Sequence, residues 1–184
     1  MSTLEVNNIK DTGSNSLISS DGSGTFTINN TVLKNTPAFR AYNSTEQSIA
    51  HQTGTVISVD TENFDIGGCY NNTGSTVTLN GISTPAYSFA PNEAGKYFVN
   101  AVLRINDGAD WDTNELGIFK NGSEYARCQW RNEASETGHI SSIVDFNGTS
   151  DYVYMRFYHD RGSNIGIAGN TILTFFEAYK LIGA

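Results

Sequence analysis

The residues best suited to chemistry are an acidic run in the middle of the chain. It consists of Asp107, Asp110, Asp112 and Glu115. Carboxylates and backbone carbonyls on one loop could hold calcium, which takes oxygen ligands. The spacing departs from the EF-hand loop, because Glu115, counted from Asp110, stands where that loop requires a glycine. We expect a solvated turn here and keep Asp107, Asp110 and Asp112 as the calcium candidates.

The histidines are the other groups that could do chemistry. They are His51, His139 and His159, and none lies at metal-ligand spacing from another His or Cys. The chain has no G-x-S-x-G nucleophile elbow and no phosphate-binding glycine loop that opens a helix. Glycoside hydrolysis needs two carboxylates about 5 to 10 Å apart in a cleft, and nothing in the sequence predicts a cleft. We therefore expect no enzymatic activity, no catalytic residue and no cofactor.

The overall charge argues against whole classes of partner. The chain has 11 Lys and Arg against 19 Asp and Glu, for a net charge of −8. Nucleic acid and anionic lipid both require clustered cations, so neither is expected as a partner. No apolar run approaches the roughly 20 residues of a membrane span, and the first residues do not resemble a secretory signal. We expect a protein made in the cytosol, with Cys69 and Cys128 as free thiols.

The elements that must position these residues are β-strands. From Tyr97 to Ile105, apolar residues alternate with a mixed set at period two, which predicts a strand with one dry face. A second run, Leu116 to Lys120, leads into Asn121-Gly122, a hairpin signal because both central residues of that turn take positive φ. Few stretches carry a helical period. The chain predicts about eight to ten short antiparallel strands in a sandwich or jelly roll.

Residues 1–36 differ from the rest, and Pro37 marks the boundary to a head of residues 37–184. Apolar residues are sparse in this segment, and one copy cannot bury enough surface to offset its ordering entropy. Either the segment is disordered, or several copies pool their apolar residues around a shared axis as an anchor or shaft. The short alternating stretches favour the second alternative. The candidate anchor residues are Leu4, Val6, Ile9, Phe26 and Ile28.

Three stretches carry a resemblance to a known family. In chain order they are AGKYFV (94–99), GIFKNG (117–122) and TFFEAYKL (174–181). Together they resemble the superfamily of tumour necrosis factor and the complement globular heads. The resemblance covers about residues 38–184 and implies an all-β, ten-stranded jelly roll packed as a homotrimer. The chain lacks the collagen-like stalk of that family, and its N-terminal segment instead resembles the β-rich anchors of bacteriophage fibre and capsid-decoration proteins.

Aromatic side chains supply the candidates for a trimer interface. Tyr152, Tyr154 and Tyr158 alternate with apolar residues that already form the inner face of one strand. Tyrosine is favoured at interfaces, because it buries a large area and keeps a hydroxyl partner. The alternatives are that these rings line a sheet surface, or a core in the opposite register. The full set of interface candidates is Tyr152, Tyr154, Tyr158, Phe175 and Tyr179.

The resemblance implies a structural appendage on the virion of a tailed bacteriophage, assembled in the host cytoplasm. It would be a capsid decoration or head fibre, or else a short tail fibre, attached to other virion proteins through its N-terminus. The candidate contacts for a host-surface glycan are Asp107, Asp110, Trp111, Asp112 and Asn114, with avidity from three copies. The alternatives are a free, lectin-like recognition protein of the same fold and, thirdly, a polysaccharide-modifying enzyme.

Overall fold

The chain was examined as a computed structural model, which describes residues 8–28, 34–106, 111–132 and 137–182. These residues form sixteen β-strands and no α-helix. The absence of helix within them agrees with the lack of a 3.6-residue apolar period in the sequence. Three short strands precede the head and pair antiparallel in sequence order: β1 (Asn8–Lys10), β2 (Ser16–Ser20) and β3 (Phe26–Ile28).

The head is built on two antiparallel sheets. The first has five strands, in the order β13-β10-β16-β4-β7: β4 (Ala38–Tyr42), β7 (Thr61–Ile66), β10 (Gly95–Arg104), β13 (Thr137–Phe146) and β16 (Phe175–Lys180). The second has four strands, in the order β12-β11-β14-β6: β6 (Thr55–Val56), β11 (Trp111–Lys120), β12 (Ser123–Asn132) and β14 (Val153–His159). Two separate pairs of short strands complete the head: β5 (Gln47–Ile49) with β15 (Ile165–Ile167), and β8 (Val77–Leu79) with β9 (Ile82–Thr84).

Strand β10 shows why the sequence folds this way. Its alternate residues point between the sheets and are fully buried: Tyr97, Val99, Ala101 and Leu103, followed by Ile105. The strand pairs along its whole length with β13 and along its middle with β16. The period-two pattern thus predicted the buried side correctly, and the residues between, such as Phe98 and Asn100, face outward.

Aromatic rings fill the core near one end of the sandwich. Phe39 stacks on Tyr70 with ring centroids 4.3 Å apart, and Phe146 meets Tyr97 edge-on at 5.0 Å. The Tyr70 hydroxyl donates to the carbonyl of Val59 at 2.7 Å, so its buried oxygen is satisfied. Burial raises the pKa of Tyr70 well above its usual value, which keeps the phenol neutral. These contacts fix the two sheets against each other.

The first and last strands of the head are neighbours. Strand β4 pairs with β16, and Ala38 lies opposite Tyr179. We call this end of the sandwich the base, because the chain enters the head here. The other end, which we call the far end, holds Tyr42, Phe175 and the ends of β10 and β13 that flank residues 107–110 and 133–136.

A buried carboxylate ties two turns together at the base. Asp151 accepts hydrogen bonds from Asn121 Nδ2 at 2.7 Å and from the backbone N–H of Asn147 at 2.9 Å, and it pairs with Lys120 Nζ at 2.9 Å. Burial opposes ionisation of this carboxyl, but the hydrogen bonds from Asn121 and Lys120 outweigh it and lower its pKa. Asn121 and Gly122 both have positive φ (51° and 83°), which confirms the predicted turn.

One strand boundary differs from the sequence prediction. Strand β11 begins at Trp111, so the acidic stretch from Asp112 to Glu115, expected in a solvated turn, is part of a strand. Two further strands are bounded by turns. Residues 171–173 form a turn before β16 begins at Phe175, and β7 ends at Ile66, where Gly67 and Gly68 take positive φ.

Candidate functional site

The outward side of the five-stranded sheet, which we call the five-strand face, is the most unusual surface of the head. Its side chains form rows across the strands, because the register places them opposite one another. Nearest the base is the apolar row: Ile143, Phe98, Tyr179, Ala38 and Ile66. Next to it lies the polar row: Ser141, Asn100, Glu177 and Arg40, with Phe64 at its edge.

The apolar row is largely open to solvent. Ile143 is 45% exposed, Tyr179 41% and Ile66 53%, and Phe64 beside them is 44% exposed. Phe98 packs against Tyr179 with ring centroids 5.4 Å apart and is itself half-buried. Scattered exposed apolar residues are ordinary, but a contiguous set of this kind marks an interaction surface.

The polar row is internally neutralised. Glu177 accepts a hydrogen bond from Arg40 Nη1 at 2.8 Å and one from Asn100 Nδ2 at 2.9 Å. His139 Nε2 lies 2.7 Å from Asn100 Oδ1, which extends the chain of contacts to β13. Arg40 also donates to the carbonyl of Thr171 at 3.1 Å. A charge network whose members are already paired can be covered by another surface without leaving a charge unpaired.

Phe175 continues the five-strand face toward the far end. The guanidinium of Arg40 lies over its ring at 4.0 Å from the centroid, a cation–π contact. Its register partners are Tyr42 on β4 and Val102 on β10, and all three side chains are half-buried. The face therefore alternates apolar and neutralised polar bands from base to far end.

The outward side of the four-stranded sheet, which we call the four-strand face, is organised differently. Tyr152, Tyr154 and Phe119 form a stack with centroids 6.3 and 5.6 Å apart. Arg156 covers Phe119 at 5.0 Å from the ring centroid, and Phe119 is only 9% exposed. Burial raises the pKa of Tyr154, and the neighbouring Tyr152 raises it by a smaller amount. The chain's own side chains thus cover most of the aromatic surface here.

The five predicted interface aromatics are therefore not brought together. Tyr152, Tyr154 and Tyr158 lie half-buried on the four-strand face, and Phe175 and Tyr179 lie on the five-strand face. The alternation along β14 is as predicted, since Val153, Met155 and Phe157 are fully buried. Sequence reasoning did not single out Phe98, Ile143 or Ile66. For Phe98 and Ile143, the signal was an apolar residue on the outward side of a strand whose inward side is also apolar. Ile66 lies on β7, whose inward side is polar.

Of the predicted calcium and ligand residues, Asp107 and Asp110 fall outside the described residues, and Trp111 and Asp112 begin β11 with no side-chain placement described. Asn114 was predicted on a loop, but it lies within β11 and its side chain is fully buried. No cluster of three or more His, Cys, Asp or Glu suited to a metal ion occurs within the described residues.

The histidines and cysteines occupy separate places. His159 is fully buried and its Nε2 lies 3.2 Å from the carbonyl of Ile49, while burial lowers its pKa. His51 has its ring centroid 6.4 Å from that of His159 and accepts from the backbone N–H of Gly162 at 2.8 Å. Cys69 and Cys128 are free, and burial raises the pKa of the Cys69 thiol. A buried, protonated thiol is unreactive.

The N-terminal strands bury little apolar surface. Of the predicted anchor residues, Ile9 is 46% exposed, Phe26 is 64% exposed and Ile28 is half-buried, and Leu17 on β2 is 41% exposed. Leu4 and Val6 lie outside the described residues. No helix within the described ranges has the length and apolar content that a membrane crossing requires.

Comparisons with known proteins agree with this architecture. No protein-family model and no curated protein matches the chain in sequence. Among solved structures, murine APRIL at pH 5.0 superposes with a TM-score of 0.56 at 12% identity, over 78% of this chain and 98% of APRIL. Eiger TNF from S. frugiperda gives 0.53 at 11% identity, over 80% and 93%. The PRD1 vertex protein P5 gives 0.52 at 15% identity, over 80% and 99%.

At these identities the likeness concerns the fold alone. About four-fifths of this chain is covered, and almost all of each neighbour. The chain therefore carries a tumour-necrosis-factor-like jelly-roll head, as its three sequence motifs predicted.

Proposed function

We propose that the chain is a non-enzymatic, trimeric appendage of a bacteriophage virion. The observation that carries the proposal is the apolar row, which leaves Ile143, Tyr179 and Ile66 open on an isolated head. A second copy is the natural cover for this face, because the adjoining polar row is already neutralised by the Arg40–Glu177 pair. Three copies related by a closed rotation would cover three such faces and leave none open.

The N-terminal segment supports the same assembly. Its strands leave Ile9, Leu17 and Phe26 exposed, so a single copy gains little from folding it. In our proposal three copies of residues 1–36 pool these side chains around the trimer axis and form an anchor or shaft. This segment would grip other virion proteins of the capsid or tail. In this arrangement the base of the head, where the chain enters at β4, would face that anchor.

The fold and the charge support a place on a particle surface. The PRD1 vertex protein P5, by its description a component of a virus vertex, shares the architecture. A net charge of −8 disfavours contact with nucleic acid inside a particle. The far end, with the segments around residues 107–110, would point outward and could contact a host-surface glycan through Asp107, Asp110 and Asp112. The proposal requires no cofactor.

The competing function is a free, lectin-like recognition protein with the same trimeric head. It would keep the five-strand face as its interface but would need no virion partner for residues 1–36. Enzymatic activity has no supporting observation, because the described residues bring no nucleophile, base and oxyanion donor together. The exposed apolar residues of the N-terminal strands favour the appendage.

Analysis of purified virions tests the proposal. We expect the chain to be detected by mass spectrometry in particles purified through a density gradient. Cryo-electron microscopy should show a threefold head on a thin stalk at the capsid or tail surface. A deletion of residues 1–36 should leave a soluble trimer that no longer associates with particles. If the full chain is found only in the soluble fraction, the lectin-like alternative replaces the appendage.

A further inference from the structure

The four-strand face contains a small cavity over the middle of β11. Gly117 forms its floor, and its register partners on the flanking strands are Arg127 and Arg156. The cavity has a volume of about 90 Å³. A side chain at position 117 would fill it, since a Cβ there would stand 2.7 Å from Phe119 Cε2. The missing side chain therefore creates the space.

The two arginines of the cavity differ in what they bind. Arg127 pairs with Glu115 at 3.0 Å and with Glu124 at 3.5 Å, so its charge is satisfied by two carboxylates. Arg156 makes no ion pair within the described part of the chain. Its guanidinium lies against Gly54, where a Cβ would come within 1.9 Å of Nη2. A second glycine thus makes room for Arg156 to lie over Phe119 beside the cavity.

The lining combines three kinds of group. Arg156 offers hydrogen-bond donors with positive charge, Glu115 and Glu124 offer acceptors, and Phe119 and Tyr158 offer aromatic surface. The two arginines and two glutamates sum to zero net charge, that is +2 and −2. A multiply charged anion such as phosphate gains little from a neutral cavity. A ligand with one carboxylate, several hydroxyl donors and an apolar ring edge matches all three groups.

We propose that this cavity binds an acidic sugar residue, with its carboxylate on Arg156 and its hydroxyls donating to Glu115 and Glu124. The inference rests on the proposed role of the head on a particle surface, where host glycans are the ligands at hand. It adds a contact on the side of the sandwich to the one proposed for the far end. A cavity of this size seats only part of one sugar ring, so binding by one head is weak and three copies supply avidity.

Saturation-transfer-difference NMR on the full chain tests the site, with D-glucuronate as probe and D-glucose as its neutral counterpart. We expect a signal from glucuronate that is about tenfold or more stronger than that from glucose at equal concentration, because a charge-assisted hydrogen bond is lost without the carboxylate. Arg156→Gln and Gly117→Val should both abolish it. Arg131→Gln, which removes an exposed positive charge from the same sheet, should leave the signal unchanged.

Three outcomes would overturn the assignment: equal signals from glucuronate and glucose, an unchanged signal in Arg156→Gln, or displacement of glucuronate by acetate at equal concentration. Arg156→Gln keeps the test valid if Gly117→Val fails to fold. The result is separable from the proposed function. A trimeric, particle-bound head without a glucuronate signal removes the sugar site alone. A monomeric head that is absent from particles but binds glucuronate removes the appendage alone.

Discussion

The two outward faces of the sandwich have similar aromatic content but differ in what covers it. On the four-strand face, Tyr152, Tyr154 and Phe119 stack on one another, and Arg156 lies over the end of the stack. On the five-strand face, Tyr179 and Ile143 remain more than 40% exposed. Of the described strands of the four-stranded sheet, β14 has no strongly exposed large apolar side chain, and the edge strand β12 has Tyr125, which is 45% exposed and donates to the carbonyl of Ile143. Coverage by neighbours in the same chain, and not aromatic content, distinguishes the two faces.

The faces also differ in their charges. Glu177 lies in the middle of the five-strand face, where it joins Arg40 and Asn100 between apolar neighbours. On the four-strand face, Arg127 is 43% exposed, and its partners Glu115 and Glu124 are 22% and 44% exposed. Exposed ion pairs contribute little to stability. Removing one member of an ion pair that a partner covers is strongly destabilising, because the other charge is left buried and unpaired.

The largest effect is expected from a charge in the apolar row. Phe98→Glu would place a carboxylate against Tyr179 and Ile143, where covering it requires its desolvation. We expect association to weaken by at least about 100-fold, the size of a loss at a central interface residue. Light scattering at micromolar concentration should then give the mass of one 20.0 kDa chain.

Tyr154→Glu is the matched control on the four-strand face. It introduces the same charge in place of a half-buried aromatic residue. We expect the trimer to persist, with circular dichroism confirming that both variants remain folded. The opposite result, a monomeric Tyr154→Glu and a trimeric Phe98→Glu, would move the interface to the predicted tyrosines of β14 and reverse our comparison.

An intermediate effect is expected from the polar row. Glu177→Gln removes the charge that pairs with Arg40, and we expect it to lower the free energy of unfolding by about 1 to 2 kcal/mol. Glu115→Gln, which removes the charge opposite Arg127 on the other face, should change it by less than about 0.5 kcal/mol. Urea unfolding at one fixed protein concentration measures both. Equal losses would show that the two pairs are equivalent.

The smallest effect is a loss of stability at acidic pH, and it comes from a group buried inside each head. Burial lowers the pKa of His159, so the folded head resists protonating it. The stability that this provides is present above the unfolded pKa, about 6.5, and is lost as the pH falls from there through the folded pKa. We expect the melting temperature to fall by about 2 to 4 °C for each kcal/mol lost in this window.

The assembly should not influence this pH dependence. His159 is fully buried on β14 and does not lie on the five-strand face. Monomeric Phe98→Glu should therefore show the same slope of melting temperature against pH as the unaltered chain. His159→Gln keeps an amide donor for the carbonyl of Ile49 and should flatten the slope. A slope that disappears in Phe98→Glu would instead place the titrating group at the interface.

Local pattern accounts for much of the fold. The alternation from Tyr97 to Ile105 predicted the buried side of β10, and Asn121-Gly122 predicted the turn between β11 and β12. Both signals act between residues close in sequence. The start of β11 was not predicted, because the local pattern is interrupted there. Asn114, on the inward side of β11, is a polar residue that breaks the apolar alternation although it is fully buried.

The candidate surface could be predicted only in part. Tyr179 and Phe175 were predicted as interface candidates, but so were the tyrosines of β14, on equal terms. Whether a ring is covered depends on residues brought near by cross-strand register, such as Arg156 over Phe119. The apolar row likewise arises from five strands that are distant in sequence. No pattern within one strand contains that information.

The native mass of the full chain tests the central claim most directly, namely that the five-strand face is covered by further copies. Native mass spectrometry at micromolar concentration should give three copies of the 20.0 kDa chain, or about 60 kDa. A folded chain that remains at 20.0 kDa under these conditions, without any partner, would contradict it.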